Sequence, residues 1–298
     1  MKIVLIICTR DRLSSLKDCL CSVERCNVPQ GAKLYCLVAD NSDSGSAAQL
    51  CQERKASLGQ DNLHYLNQRG EGYVIIRNAA LDYACNTFAL EDEDILVFID
   101  DDVILDAKNL LYHVKTLMDC GADVSAGPNG NNSKERVKRK IKKVHTTNVA
   151  LKAWIVESLR FAPLCNLTGC EDHEFFYDAR ERGARIMQTP KAKVSANSLE
   201  QENRGSIELI SYVCARNALF ITRRRRGLWA AVGHFMNLYF PRVLRMVALR
   251  FRLLVMRTQK TYAQAKLNEA ILKGAFDGLY KVGCSRIAAK RGEIIPVE

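Results

Sequence analysis

Five consecutive apolar residues, Ile95 to Ile99, end on three adjacent aspartates, Asp100-Asp101-Asp102. A short run without a polar position reads as a strand buried on both faces, the kind found inside a parallel sheet covered by helices. The three carboxylates that stop it repel one another, and packing has no use for them. A cation offsets that repulsion. Hard divalent ions such as Mg²⁺ and Mn²⁺ take oxygen ligands of this type, often one or two carboxylates with substrate phosphates completing the sphere. A nucleoside diphosphate fits that description, and a solvated acidic turn is the plain alternative.

Strand and helix patterns alternate through the first two thirds of the chain. Ile3 to Cys8 reads as a buried strand and leads into a helix from about Leu13 to Cys26. Lys33 to Ala39 is a second strand, ending in the turn-rich Asp40-Asn41-Ser42-Asp43-Ser44-Gly45. A polar helix over Gln49 to Leu58, a short strand over Leu63 to Leu66, and helices over Gly70 to Cys85 and Ala107 to Cys120 complete this part. His145 to Ala150 reads as a strand. Gly169 to Gly183 holds a helix whose acidic start, Glu171 and Asp172, suits the helix dipole. The pattern predicts an α/β fold with a mainly parallel sheet flanked by helices. Polar loops after parallel strands share one sheet edge, where ligands bind. Thr9-Arg10-Asp11-Arg12 and Asp40-Asn41-Ser42 join the aspartates there.

With 48% apolar and 26% charged residues, the chain has globular composition and is not a disordered or collagenous one. Its net charge of +11 is unevenly placed: residues 204 to 291 hold 18 Lys and Arg against Glu208, Glu269 and Asp277, whereas the first 203 hold 26 bases and 28 acids. A near-neutral body over 1–203 and a basic helical extension over 204–298 are expected, the extension meeting an anionic partner. A second basic run, Lys134 to Lys143, has seven bases and one acid.

A helix over Leu228 to Met256 and the adjoining Arg257 places Arg242, Arg245, Arg250, Arg252 and Arg257 within an arc of roughly 160°. Val243, Val247, Phe251, Leu254 and Val255 lie opposite. Two readings stay open: an amphipathic helix on an anionic membrane surface, or one packed on the protein or in a dimer. Nucleic acid is not an expected partner, because the aromatics sit among aliphatics rather than among the bases. The twelve cysteines form no CxxC pair and are expected to be reduced, as small hydrophobes in a cytoplasmic protein. No run approaches the ~18 apolar residues of a membrane-spanning helix, so any membrane contact is expected to be peripheral, on the inner face of the plasma membrane.

Five segments occur in a fixed order: Ile7-Cys8-Thr9-Arg10-Asp11-Arg12, Val38-Ala39-Asp40-Asn41-Ser42, Arg77-Asn78-Ala79-Ala80-Leu81, Phe98-Ile99-Asp100-Asp101-Asp102 and Gly169-Cys170-Glu171-Asp172-His173-Glu174. In this order and approximate spacing the set resembles the family 2 glycosyltransferases of GT-A type fold, over about residues 2 to 195. Cys214-Ala215-Arg216-Asn217-Ala218-Leu219-Phe220 is similar to the "RN" segment that follows the catalytic domain in rhamnosyltransferase-like bacterial members.

The resemblance implies a metal-dependent, inverting enzyme that moves a sugar from a nucleotide-sugar donor, UDP- or dTDP-linked, to a glycan or lipid-linked acceptor in surface polysaccharide or lipopolysaccharide assembly. Thr9 and Arg12 then match the first nucleotide-binding loop, Asp40 the carboxylate that reads the base, and Arg77 and Asn78 the helix start beside the nucleotide. Asp100 and Asp102 match the outer members of the DxD motif, near the ribose and on the metal respectively, with Asp101 between them on the donor side. Asp172 matches the general base, supported by Glu171. The family's further metal-ligating His is missing from Lys193-Val194-Ser195-Ala196-Asn197. Either the metal sphere is completed differently or bases such as Arg223 to Arg226 assist the diphosphate. The histidines show no ligand spacing, and none is assigned to the metal; surface or packing roles are expected for them. A nucleotidyltransferase and a non-catalytic nucleotide- or glycan-binding module are the rival readings.

Overall fold

A computed structural model describes residues 1–70, 72–128, 144–162, 170–196, 207–244, 248, 259–279, 286–288 and 293–295. The basic run Lys134 to Lys143 and most of the predicted helix beyond Leu244 lie outside the described residues. The chain divides into two compact units, 1–162 with 172–201, and 163–171 with 202–298.

In the first unit β1 (Lys2–Thr9), α1 (Leu13–Glu24), β2 (Lys33–Asp40), α2 (Ala48–Leu58), β3 (Leu63–Asn67), α3 (Tyr73–Phe88) and β4 (Ile95–Asp100) alternate strictly. They are followed by β5 (Val103–Leu105), α4 (Asn109–Asp119), β6 (Val124–Ala126), β7 (Asn148–Lys152), α5 (Trp154–Ser158), α6 (Glu171–Glu181), β8 (Ile186–Gln188) and β9 (Val194–Ala196). Seven strands form one sheet in the order β3-β2-β1-β4-β7-β6-β8. β3, β2, β1 and β4 pair in parallel; β7 runs antiparallel between β4 and β6, and β8 is parallel to β6. The sheet is therefore mainly parallel, as the apolar runs require.

Alternate side chains of each strand enter different cores. Val4, Ile6, Leu96 and Phe98 pack with residues of α3, α5 and α6, while Ile3, Leu5, Val97 and Ile99 pack with residues of α1, α2 and α4. All eight are essentially inaccessible. Each such side chain contributes roughly 1.5–3 kcal/mol by leaving water, which explains why no polar residue interrupts the strands. The order of strands reverses between β1 and β4, so the crevice beyond their carboxyl ends lies at a topological switch point.

One buried polar network ties the later strands to this core. Asn148, wholly inaccessible on β7, accepts from His113 Nε2 at 2.9 Å and donates to the Ala192 carbonyl at 2.7 Å. Burial lowers the His113 pKa to about 4, so the ring is neutral, and its Nδ1 lies 2.9 Å from the Ser125 hydroxyl. Gly127 is required beside this network, because a Cβ there would stand 2.1 Å from Asn148 Nδ2.

The second unit is built on α7 (Ile207–Leu238) and α8 (Gln259–Leu279), with a short ribbon of β10 (Arg286–Ala288) and β11 (Glu293–Ile295). Gly227 breaks the helical geometry of α7 with φ of 84°. Gly274 and Gly278 let α8 approach the α7 backbone, since a Cβ on either would come 2.1 Å from the carbonyl of Tyr212 or Arg216. Ala215, Leu219, Phe235, Tyr239, Ile271, Leu272 and Ala275 form the apolar centre, against which Val243 packs. Val243, on the apolar face for which the sequence leaves membrane contact and packing on protein both open, thus meets the apolar centre of this unit. Val247, Phe251, Leu254 and Val255, with Arg245, Arg250, Arg252 and Arg257, lie outside the described residues. No helix among the described residues is long and apolar enough to cross a membrane. None of the ten cysteines among them is in a disulfide.

Candidate active site

Parallel pairing sets the chemistry at one edge. Thr9 is the register partner of Asp40, and Cys8 that of Asp100, so three polar loops leave the carboxyl ends of β2, β1 and β4 side by side. The loop after β1 reaches across to the aspartates. The Thr9 hydroxyl donates to Asp101 Oδ2 at 2.7 Å, and Arg12 Nη1 lies 2.9 Å from Asp101 Oδ1 and 3.0 Å from Asp102 Oδ2. Asp101 is buried, and burial pushes its carboxyl up to about 7 against the opposing pull of Arg12 and the Thr9 hydroxyl. The middle aspartate is thus bonded inward, while Asp100 and Asp102 keep partial access to solvent.

Asp40 is wholly buried at the end of β2. Its Oδ1 accepts from the Ser42 amide at 2.8 Å, and its Oδ2 from the Ala47 amide at 3.0 Å and the Tyr65 hydroxyl at 2.9 Å. The carboxylate organises its own loop. On α3, the Arg77 guanidinium lies over the rings of Tyr73 and Phe161, 5.5 Å from each centroid. Asn78 clamps the Phe161 backbone in both directions, donating to its carbonyl at 2.9 Å and accepting from its amide at 2.8 Å.

β7 brings the last group to the same edge. Because it runs antiparallel to β4, its start lies at the carboxyl end of β4, where the Asp100 amide contacts the Thr147 carbonyl at 3.4 Å. Two residues earlier, His145 Nδ1 lies 2.9 Å from Asp172 Oδ2. A carboxylate can only accept, so Nδ1 carries the hydrogen. Asp172, at the start of α6, also accepts the His173 amide on Oδ1 at 2.7 Å. Burial raises the Asp172 pKa, but the His145 hydrogen bond, the charges of His173 and His145 and the His173 amide outweigh it, and the carboxyl is held below its ordinary value. Glu171 is buried beside it in sequence, after Cys170 in a left-handed conformation with φ of 71°.

An α/β sheet with an aspartate triplet at the switch point and a second, ionised aspartate on the adjoining antiparallel strand's side narrows the choice of family. Residues 4–177 match glycosyl transferase family 2. The chain belongs to that family. This family 2 glycosyl transferase is 27% identical over 223 residues to the succinoglycan biosynthesis protein ExoM of Rhizobium meliloti (strain 1021), covering 67% of the present chain and 68% of ExoM. Among solved structures it resembles the mannosyltransferase PcManGT of Pyrobaculum calidifontis, determined in complex with GDP-Man and Mn²⁺. The TM-score is 0.59 at 16% identity, over 94% of this chain and 87% of that one. S. aureus TarS 1–349 in complex with UDP-GlcNAc gives a TM-score of 0.56 at 17% identity, over 93% and 91%. These likenesses show the GT-A fold.

Within the family 2 glycosyl transferase, the structure joins Thr9, Arg12, Asp101 and Asp102 directly. It places Asp40 and Asp100 at the ends of the adjoining strands and Arg77 and Asn78 on α3 around Phe161. The expectation that the histidines form no cluster is corrected. His145, Asp172 and His173 bring one ligand-capable atom each within 4.8 Å of one another, and the two rings lie 5.0 Å apart. The sequence reading missed His145 because 27 residues separate it from Asp172. The available signal was its position just before a strand that returns to the site. The triplet's donors are all carboxylate oxygens, which fit a hard divalent cation. Arg12 engages Asp102 through Oδ2 and neutralises part of the triplet's charge.

Proposed function

We propose that this glycosyl transferase moves a sugar from a nucleoside diphosphate donor, UDP- or dTDP-linked, onto a glycan or lipid-linked acceptor with inversion at the anomeric carbon. The observation that carries the reading is the meeting, at one sheet edge, of a carboxylate triplet and a separately held, ionised Asp172. The base and ribose of the donor lie against the loop that Asp40 organises, beside Asp100 and α3 with Arg77 and Asn78. Thr9 and Arg12 hold Asp101 inward and fix the triplet's backbone. Asp102 is the residue that would hold Mn²⁺ or Mg²⁺, and the bound ion supplies charge neutralisation for the departing diphosphate.

Asp172 takes the proton of the acceptor hydroxyl as its oxygen forms a bond to the anomeric carbon and the bond to the diphosphate breaks. Its lowered pKa makes it a weak base that is ionised at neutral pH. That suffices, because an attacking hydroxyl becomes strongly acidic as its oxygen is alkylated. His145 holds Oδ2, and Glu171 supports the turn on the acceptor side. The ExoM likeness supports a role in polysaccharide assembly, and surface polysaccharide or lipopolysaccharide precursors are the acceptors proposed. A lipid-linked acceptor brings the enzyme to the cytoplasmic face of the plasma membrane.

The test is a thermal-shift panel of UDP, dTDP, GDP, CDP and ATP with and without Mn²⁺, since a ligand that binds only the folded state raises its melting temperature. A Mn²⁺-dependent rise with UDP or dTDP is expected, and the matching sugar donor should then yield a product of inverted anomeric configuration by NMR. A rise with ATP alone would point to nucleotidyl transfer instead.

A further inference from the structure

The second unit leaves an apolar surface that its own packing does not use. Beyond Gly227, Ala231 is buried, and Phe235 and Tyr239 are buried in the centre formed with α8. At 3.6 residues per turn, Trp229 and Met236 fall within about 20° of each other on another face of α7, and Phe240 and Leu244, about one turn apart beyond Tyr239, share a face of the turns that follow. Their exposures are 84%, 46%, 41% and 61%. Scattered exposed apolar residues are ordinary, but six large ones between Leu228 and Leu244, these four with Leu228 and Leu238, form an apolar contact stripe led by a tryptophan.

Charge selects the occupant. Arg224 and Arg226, both exposed, immediately precede the stripe, and residues 204 to 291 carry 18 bases against three acids. A second copy would bring the same positive excess and be repelled. An anionic bilayer matches both features, because tryptophan and phenylalanine settle at the headgroup boundary and arginines meet lipid phosphates. We propose that Trp229, Met236, Phe240 and Leu244 dock this protein on an anionic lipid surface, with Arg224 and Arg226 on the headgroups. The surface lies in the second unit and does not depend on the reaction proposed above.

The experiment uses the full chain and vesicles of phosphatidylcholine alone or mixed with phosphatidylglycerol. Trp154→Phe leaves Trp229 as the sole tryptophan of the two. Its emission should shift to the blue with the mixed vesicles, and the protein should sediment with them. Trp229→Ser with Phe240→Ser, both at exposed positions, should keep the melting temperature and weaken vesicle partitioning at least roughly tenfold. Arg224→Gln with Arg226→Gln should weaken it by a similar factor, and added salt should do so in the parent protein. Equal partitioning to both vesicle types, or no blue shift, would overturn the proposal. So would a blue shift that appears with protein concentration alone together with a dimer mass, which would give the stripe to a second copy.

Discussion

Asp101 and Asp172 are both buried carboxyls, yet their surroundings pull them in opposite directions. Asp101 sits between two other aspartates, and burial takes it up to about 7 although Arg12 and Thr9 oppose the rise. Asp172 sits between two histidines, and their hydrogen bonds and charges overcome burial and lower it. Burial alone therefore does not decide what a carboxyl does; the groups facing it do. An acid that shares its charge with neighbours holds a loop together, whereas one kept ionised by cationic donors is ready to accept a proton. The comparison predicts that damage at the triplet is read in stability and donor binding, and damage at Asp172 in turnover.

The largest effect is expected at the base. Asp172→Asn keeps the shape and can still accept from His145, but has no basic oxygen, so kcat should fall roughly 10³-fold. The Mn²⁺-dependent thermal shift with the nucleotide should survive. Turnover near the parent rate would break the comparison at its centre. Arg12→Met comes next. It leaves Asp101 and Asp102 without the cation that joins them, in a pair whose side chains are 10% and 4% exposed for Arg12 and Asp101. Urea unfolding should show a loss of about 3 kcal/mol or more. A loss under about 0.5 kcal/mol, the range of neutral surface changes, would mean that the triplet needs no internal cation.

Asp102→Asn sharpens the division further. In the parent protein, nucleotide and Mn²⁺ at about a hundredfold over their dissociation constant should add about 2.7 kcal/mol of stability. The variant should lose the metal-dependent part of that gain and keep its unliganded melting temperature, because Arg12 still bonds Asp101. An unchanged metal response would move the ion away from the triplet.

What was legible from the sequence, and what was not, follows the same physical line. Ile95 to Ile99 could be read as a strand because burial on both faces forbids polar residues, and its end at Asp100 marks the sheet edge directly. Thr9 and Asp40 were legible for the same reason, as first polar residues after apolar runs. Their partners were not. Nothing local says that Thr9 and Arg12 turn toward Asp101, or that Asp40 accepts from the Tyr65 hydroxyl, since both follow from register between strands distant in sequence; the Asp40 bonds to the Ser42 and Ala47 amides are local turn contacts. Asn78 reads as a polar residue at a helix start, and its clamp on Phe161 spans 83 residues. His145 was hidden most completely, because its contact depends on β7 entering the sheet antiparallel. A five-residue strand of that sense has no signature separating it from a parallel one.

The smallest effect is expected at that histidine, and it tests whether the difference between the two aspartates comes from their neighbours. His145 is half-exposed, so His145→Ala, which has no donor for Asp172, should cost little stability and only a few-fold in turnover at neutral pH. It removes the leading influence that holds Asp172 below its ordinary value and leaves the His173 charge and amide against burial. The Asp172 pKa must then rise. A base works only when deprotonated, so the acid limb of the kcat/KM profile should move to higher pH, and the variant should fall away from the parent as the solution is acidified. His173→Asn should move the limb in the same direction through the lost ring charge, while keeping the backbone bond to Oδ1. A purely structural role for His145 would lower kcat equally at every pH and leave the limb in place, and that result would remove the histidines as the cause of the contrast.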